Sequence, residues 1–161
     1  MDLLDALLVL GAATIPIGEL RFSIPYGIVG LEASWPSVLV ISIVGNMLPP
    51  MILLPLLNRI AMLLNSFPNP LARLLNWRVR HLQSTYGGRF SRWGAPILVL
   101  LVAIPLPFTG AWTGTLVAWI FQIRFRVAIP LIATGVIIAG LVVTVITIGG
   151  QELGSNVLEY P

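Results

Sequence analysis

Ile15-Pro16-Ile17-Gly18-Glu19-Leu20-Arg21-Phe22-Ser23-Ile24-Pro25-Tyr26-Gly27 sets a carboxylate and a guanidinium two residues apart, between two prolines, in an otherwise largely apolar run. Each proline removes a backbone donor and clashes with the turn before it. Gly18 and Gly27 add permissive backbone beside them. In water such a cluster is a turn. Inside a bilayer an ionisable pair is costly and marks a functional site by default. The reading of the chain therefore depends on which solvent surrounds this stretch.

Composition answers that. Of 161 residues, 57% are hydrophobic and 9% charged, with mean hydropathy +0.96; a soluble domain carries about 25% charged residues. The chain is an all-α integral membrane protein. Ala33 to Asn58, Trp93 to Ile123 and Val127 to Gln151 hold no charged residue, and Leu3 to Leu31 carries Glu19 and Arg21 in its middle. A span needs roughly 20 apolar residues, so the first and third segments are too long for one crossing.

The charges set the topology. All nine basic residues are arginine, and six fall between Arg59 and Arg92 with no acid among them. That asymmetry points to a cytoplasmic loop by the positive-inside rule rather than to nucleic-acid binding. No cysteine is present, which excludes disulfides and thiolate metal sites. His81, the single histidine, sits in the arginine-rich stretch as a solvated or headgroup-facing residue. Asp2 and Asp5 make the start acidic, where a secretory signal is basic, so no cleaved signal is expected.

The expected order is a re-entrant hairpin over 3–31, a transmembrane helix over 36–58, a cytoplasmic amphipathic linker over 59–92, a second hairpin over 93–123, a transmembrane helix over 127–150 and a polar tail over 151–161. The first span contains Gly45-Asn46-Met47-Leu48-Pro49-Pro50, where Asn46 faces protein rather than lipid. In the linker, Leu71, Leu74, Leu75, Val79, Leu82 and Tyr86 recur at helical spacing, as in an interfacial helix drawn to anionic lipid headgroups. The second hairpin contains Pro105, Pro107, Thr109, Gly110, Trp112 and Thr113: prolines that break the helix, hydroxyls that can bond freed carbonyls, and glycine for close approach. Trp35, Trp77 and Trp93 read as interface anchors.

Sliding the sequence by 89 residues aligns Thr14-Ile15-Pro16-Ile17 with Ala103-Ile104-Pro105-Leu106. Duplicated, interrupted apolar segments point to a transporter-type site between two halves. If both broken segments enter and leave on one side, every arginine except Arg21 is cytoplasmic and every acid except Glu19 external, with both termini outside. Four full spans instead strand Arg124 and Arg126 outside, against the positive-inside rule. Re-entrant backbone survives at depth only if buried in protein or lining a cavity, a condition met by two hairpins meeting tip to tip. The fold class is thus an inverted repeat of two re-entrant helical hairpins, each followed by a transmembrane helix.

Glu19-Leu20-Arg21-Phe22-Ser23-Ile24-Pro25-Tyr26-Gly27, Gly45-Asn46 with Pro49, Tyr86-Gly87, and Ile104-Pro105-Leu106-Pro107-Phe108-Thr109-Gly110-Ala111-Trp112-Thr113-Gly114 resemble, in order, the motifs of the small multidrug export protein family, over about residues 12 to 140. Phe108 departs from the small residue of the family pattern. That family is in turn distantly similar to the DedA/VTT membrane proteins, which have paired re-entrant loops with embedded acidic and arginine residues. The resemblance implies a bacterial inner-membrane protein with a transport or lipid-translocation role.

For the site, Glu19 is the expected proton carrier, because desolvation in the membrane favours its neutral form while a nearby guanidinium favours its charged one. Arg21 holds Glu19 or an anionic substrate group. Pro25, Asn46, Pro105, Pro107, Thr109, Gly110, Trp112 and Thr113 are the other expected site residues. The plainer alternative is a structural ion pair between Glu19 and Arg21. Proton-coupled export of small molecules is the first functional reading. A lipid flippase or scramblase using Arg21 for a phosphate headgroup, and a non-transporting membrane-organising protein, are the others. Neither a nucleophile–base set, a metal cluster nor a nucleotide motif appears in the sequence, so an enzyme is not expected; nor is a cofactor or metal, the proton being the coupling ion. Expected partners are membrane lipids, a small-molecule or lipid substrate, no nucleic acid, and further copies of the chain in a homodimer or larger oligomer.

Overall fold

The computed structural model describes the backbone of residues 1–66, 70–105 and 109–158. The side chains of 64, 65, 70–72, 74, 75, 78, 86–92 and 154–158 lie outside the description, as do residues 67–69, 106–108 and 159–161, among them Pro107 and Phe108. The regular structure of the described residues is helical: α1 (Leu3–Thr14), α2 (Glu19–Pro25) prolonged by a π-helical turn (Tyr26–Gly30), α3 (Trp35–Asn65), α4 (Pro70–Ala103), α5 (Ala111–Ile120) and α6 (Phe125–Leu158). Two helices have stretches long and apolar enough to cross a membrane, Trp35–Leu63 and Phe125–Leu153. Their outer faces expose Val40, Val44, Ile52, Leu141, Val145 and Ile146. Apolar surface of that extent is unusual on a soluble monomer and fits a lipid-facing wall.

Local chemistry sets the helix ends. The Asp5 carboxylate accepts from the Asp2 backbone N–H at 3.1 Å, closing the start of α1. The helix stops at Thr14, since Ile15 precedes Pro16 and takes extended backbone. Pro36 stands in the first turn of α3, where its missing N–H costs nothing. Pro25 does not end α2 as a break would. The backbone instead widens into a π turn, with the Leu31 N–H bonded to the Tyr26 carbonyl at 3.0 Å, which re-sets the hydrogen-bond register after the proline.

Three boundaries differ from the sequence reading. Helix α3 runs on to Asn65, past Asn58, since nothing after Pro55 breaks it. The linker and the first arm of the second broken segment form one helix, α4, because Pro96 is accommodated within it. The expected polar tail is helical to Leu158, continuing α6.

The same order of elements occurs twice, about 90 residues apart: an arm (α1; the end of α4), a break (15–18; between Ala103 and Ala111), a second arm (α2; α5), a connection and a long helix (α3; α6). Each connection contains a residue with left-handed backbone, Glu32 at φ 50° and Gln122 at φ 56°. Packing repeats as well. Helix α1 lies on α3 as α4 lies on α6, while α3 packs on α5 and α2 on α6, so exchanging the halves maps these contacts onto one another. One buried cluster, including Val9, Ile24, Val38, Leu98, Val102, Ile132 and Val136, runs through both halves.

Two glycines set these contacts. A Cβ on Gly45 would lie 2.6 Å from the Leu10 carbonyl oxygen and 2.9 Å from the Ala13 Cβ; one on Gly135 would lie 2.9 Å from the Val99 carbonyl oxygen and 2.6 Å from the Val102 Cβ. Each long helix thus has a glycine where the first arm of its own half crosses it. In α3 the device has a second part. Pro49 cannot donate to the Gly45 carbonyl four residues earlier; the Thr14 hydroxyl, which donates to the Leu10 carbonyl of its own helix at 2.8 Å, shares its proton with that oxygen at 3.1 Å.

Gly45→Ala and Gly135→Ala are therefore expected to lower the melting temperature in detergent, each forcing a backbone shift of the kind that costs about 1–3 kcal/mol. Gly11→Ala, where nothing lies within 4 Å of the added carbon, should leave it unchanged or raise it slightly.

Candidate functional site

A helix interrupted inside a membrane leaves backbone donors and acceptors without partners and without water to replace them. The two breaks in this chain solve that problem for each other. Helix α5 begins at Gly110, which has no side chain to cap the first amides. The Glu19 carboxylate takes that place: its Oε1 accepts from the Trp112 backbone N–H at 3.4 Å, beside the Ala111 amide. An anion at a helix N-terminus is favoured both by the free N–H groups and by the helix dipole.

The other bonds run between the same tips. Arg21 Nη2 donates to the Thr109 carbonyl oxygen and, at 2.8 Å, to Thr109 Oγ1. Thr109 Oγ1 in turn donates to the Ile104 carbonyl at 2.7 Å, spanning the second break. Trp112 Nε1 donates at 3.0 Å to the carbonyl of Thr14, the last residue of α1. The hydrogen bonds of both charged residues go to the opposite half rather than to each other. That differs from a local Glu19–Arg21 ion pair.

Backbone strain is present here as well as in the two connections. Glu19 has φ 48°, in the left-handed region that side chains other than glycine rarely enter, and Gly110 has φ 139°. Such conformations cost of order 1–3 kcal/mol and cluster at functional sites. Gly110 is needed twice over: its φ suits glycine, and a Cβ there would overlap both oxygens of the Glu19 carboxylate.

Beside these contacts lies a cleft of about 240 Å³ lined by Pro16, Ile17, Gly18, Glu19, Arg21, Thr109, Trp112 and Thr113. Of the residues singled out in the sequence, Glu19, Arg21, Thr109, Trp112 and Thr113 line it, and Gly110 lies against Glu19. Asn46 is buried in the core on α3, Pro25 is half-buried within α2, and Pro105 is half-buried after α4; none of the three lines the cleft. Pro107 lies outside the described residues. Among the described residues no group of three His, Asp or Glu side chains converges as a metal site.

Sequence reasoning missed Thr14, the Ala111 amide, and Pro16, Ile17 and Gly18 as lining. One signal was available. A helix starting after Gly110 with no Ser, Thr, Asp or Asn to cap it needs an acceptor from elsewhere, and Glu19 is the embedded carboxylate of the chain.

Gly110→Ala is expected to push Glu19 off α5 and lower the melting temperature more than any other single glycine-to-alanine change in this region. Trp112→Phe, which keeps the ring and removes the N–H, should cost about 1 kcal/mol through the lost bond to Thr14. Thermal unfolding of the purified variants in one detergent measures both.

Comparison with curated proteins and with solved structures gave no match. The family model described as "Putative small multi-drug export protein" matches residues 19–142. It begins at Glu19 and takes in Glu19, Arg21, Thr109, Trp112 and Thr113 of the cleft, while Pro16, Ile17 and Gly18 precede it. The chain belongs to that family of small multi-drug export proteins.

Proposed function

We propose that the protein is a proton-coupled exporter of small molecules, working through the cleft between two re-entrant hairpins. The hairpins are α1 with α2, and the apolar end of α4 with α5. They form the two halves of an inverted repeat, each closed by a crossing helix, α3 or α6. What supports this is the repeated order of elements, the matching packing of the halves, and the family's export description. The arginine-rich N-terminal part of α4 then faces the cytoplasm of a bacterial cell at its inner membrane, and both termini face outward. The chain works as a homodimer or larger oligomer among the membrane lipids.

The observation that carries the reading is the reciprocal bonding of the tips. Glu19 as a carboxylate caps α5, and Arg21 holds Thr109. Proton uptake removes the negative charge that the helix N-terminus favours, which loosens the grip of Glu19 on α5. A cargo entering the cleft competes with Thr109 for the guanidinium. Glu19 is then the proton carrier, and Arg21 reports cargo to the second hairpin. Trp112 and Thr113 wall the cleft and set the size and polarity of what enters. Coupling follows because one closed arrangement needs both Glu19 ionised and Arg21 on Thr109.

Purified protein in vesicles loaded with lucifer yellow, an anionic dye whose sulfonate oxygens can take the place of Thr109 on Arg21, tests this under an imposed pH gradient. Wild type is expected to move dye in proportion to the gradient. Glu19→Gln should fall at least tenfold, towards the rate of protein-free vesicles, and Arg21→Gln should lose the response to the gradient. Gradient-driven transport undiminished in a folded Glu19→Gln variant would rule out the proton-carrier role. In the same vesicles, movement of a fluorescent phospholipid without movement of dye would show lipid translocation in place of export.

A further inference from the structure

The buried polar side chains of α2 and α3 include Ser23 and Ser42, each 0% exposed, and Asn46, 1% exposed. Ser23 Oγ donates to Ser42 Oγ at 2.9 Å, from α2 to α3. The Asn46 Oδ1 is buried and has no hydrogen-bond partner among the described residues. An unsatisfied buried amide acceptor costs about 1–3 kcal/mol, and in a membrane core water offers no cheap remedy.

Register says what this acceptor faces. The chain turns between Gly30 and Trp35, so α2 with its π turn runs antiparallel to the start of α3. Gly27 packs on Val38, its Cβ position lying 2.6 Å from Val38 Cγ1, and four residues away on both helices Ser23 meets Ser42. The same register continued by one further turn sets Glu19 opposite Asn46. Residues four apart share a helix face, so Asn46 lies in line with Ser42; Glu19 opens α2 one turn before Ser23, with its left-handed backbone turning the ionised side chain to α5. Close packing at Gly27 and Val38 seals the far end of this row.

The repeat shows that the fold does not need polarity here. Gly45 and Gly135 fix the correspondence of α3 with α6, each meeting the first arm of its own half. In that correspondence Ile132 stands for Ser42 and Val136 for Asn46, both 0% exposed and aliphatic. The second half packs the equivalent positions with hydrocarbon. The first half keeps a serine and an asparagine only where a carboxylate stands one turn away or opposite.

We propose that Asn46 is the second partner of Glu19: the side-chain oxygen that accepts the carboxylic O–H once Glu19 has taken up a proton and released the Trp112 amide. The inference rests on the proton-carrier reading above and adds the residue that receives Glu19 in its neutral state. Arg21 on the same helix is the charged neighbour of Glu19. Among the described residues, the helices packed around α2 bring no other ionisable group to that level: Asp5 on α1, Arg59 on α3, and Arg126 and Glu152 on α6 lie towards helix ends, and α5 has none. An asparagine suits the task, since its oxygen accepts without itself titrating.

Infrared difference spectra between acid and alkaline pH, recorded on the purified protein in lipid, test this through the C=O stretch of a protonated carboxyl. A band lost in Glu19→Gln assigns Glu19. In Asn46→Val, which copies Val136, that band is expected to move to higher wavenumber as the O–H loses its acceptor. Asn46→Thr, of the same shape with an acceptor oxygen, should leave it near the wild-type position. Ser42→Ile, which copies Ile132, should not move it. Should the valine variant not elute as a single folded species, Asn46→Ala removes the same acceptor. A Glu19 band unmoved by loss of the Asn46 oxygen, or moved equally by Ser42→Ile, overturns this inference and leaves the proton-carrier reading intact. A wild type with no Glu19 band overturns both.

Discussion

The structure depends on one constraint: backbone groups freed at a helix break have no water to bond to in a bilayer. Each half of this chain breaks a helix, at 15–18 and between Ala103 and Ala111, and the described groups at each break take partners from the other half. The Thr14 carbonyl takes its proton donor from Trp112, the Trp112 amide of α5 takes its acceptor from Glu19, and the Thr109 carbonyl takes its donor from Arg21. A charged side chain is an efficient choice, since hydrogen bonds to ionised groups are about twice as strong as neutral ones. Using a titratable one has a further consequence. On the proton-carrier reading proposed above, the closure of the tips varies with the charge of a single carboxylate.

That constraint explains why the halves differ although their folds correspond. If both tips carried charges, like would face like or four ions would need compensation in a low-dielectric site, where each costs several kcal/mol to desolvate. Here the first half brings the charges, and the second brings backbone dipoles and a hydroxyl. Gly110 completes the arrangement by leaving space for the carboxylate. The asymmetry extends into the core, where Ser42 and Asn46 correspond to Ile132 and Val136.

Much of this was legible in the sequence, and what was not has physical reasons. The membrane class, the two long apolar helices and the family follow from composition and ordered motifs, because these signals are summed over tens of residues. The breaks were marked by proline. The fate of individual prolines was not: Pro25 passes into a π turn, and Pro49 stays within α3, where Thr14 shares its hydroxyl proton with the Gly45 carbonyl. Those outcomes depend on neighbours distant in sequence. For the same reason Glu19 and Arg21, two apart in the chain, looked like a pair, whereas their hydrogen-bond partners stand 88 and 93 residues away. Proximity in sequence is a poor guide to pairing where a broken helix elsewhere offers a better acceptor or donor.

The strain at Glu19 bears on how such a site can move. Its left-handed φ of 48° is disfavoured for a residue with a Cβ and is maintained by what its side chain bonds to. When the carboxylate leaves α5, the contact that offsets this strain is lost together with the charge that favoured it. Two terms of order 1 kcal/mol or more then act in the same direction, and a change of that size shifts a two-state equilibrium about fivefold to thirtyfold. A small protein has few contacts with which to store a conformational bias. On the proton-carrier reading proposed above, placing strain, charge and helix cap on one residue lets a single proton act on all three.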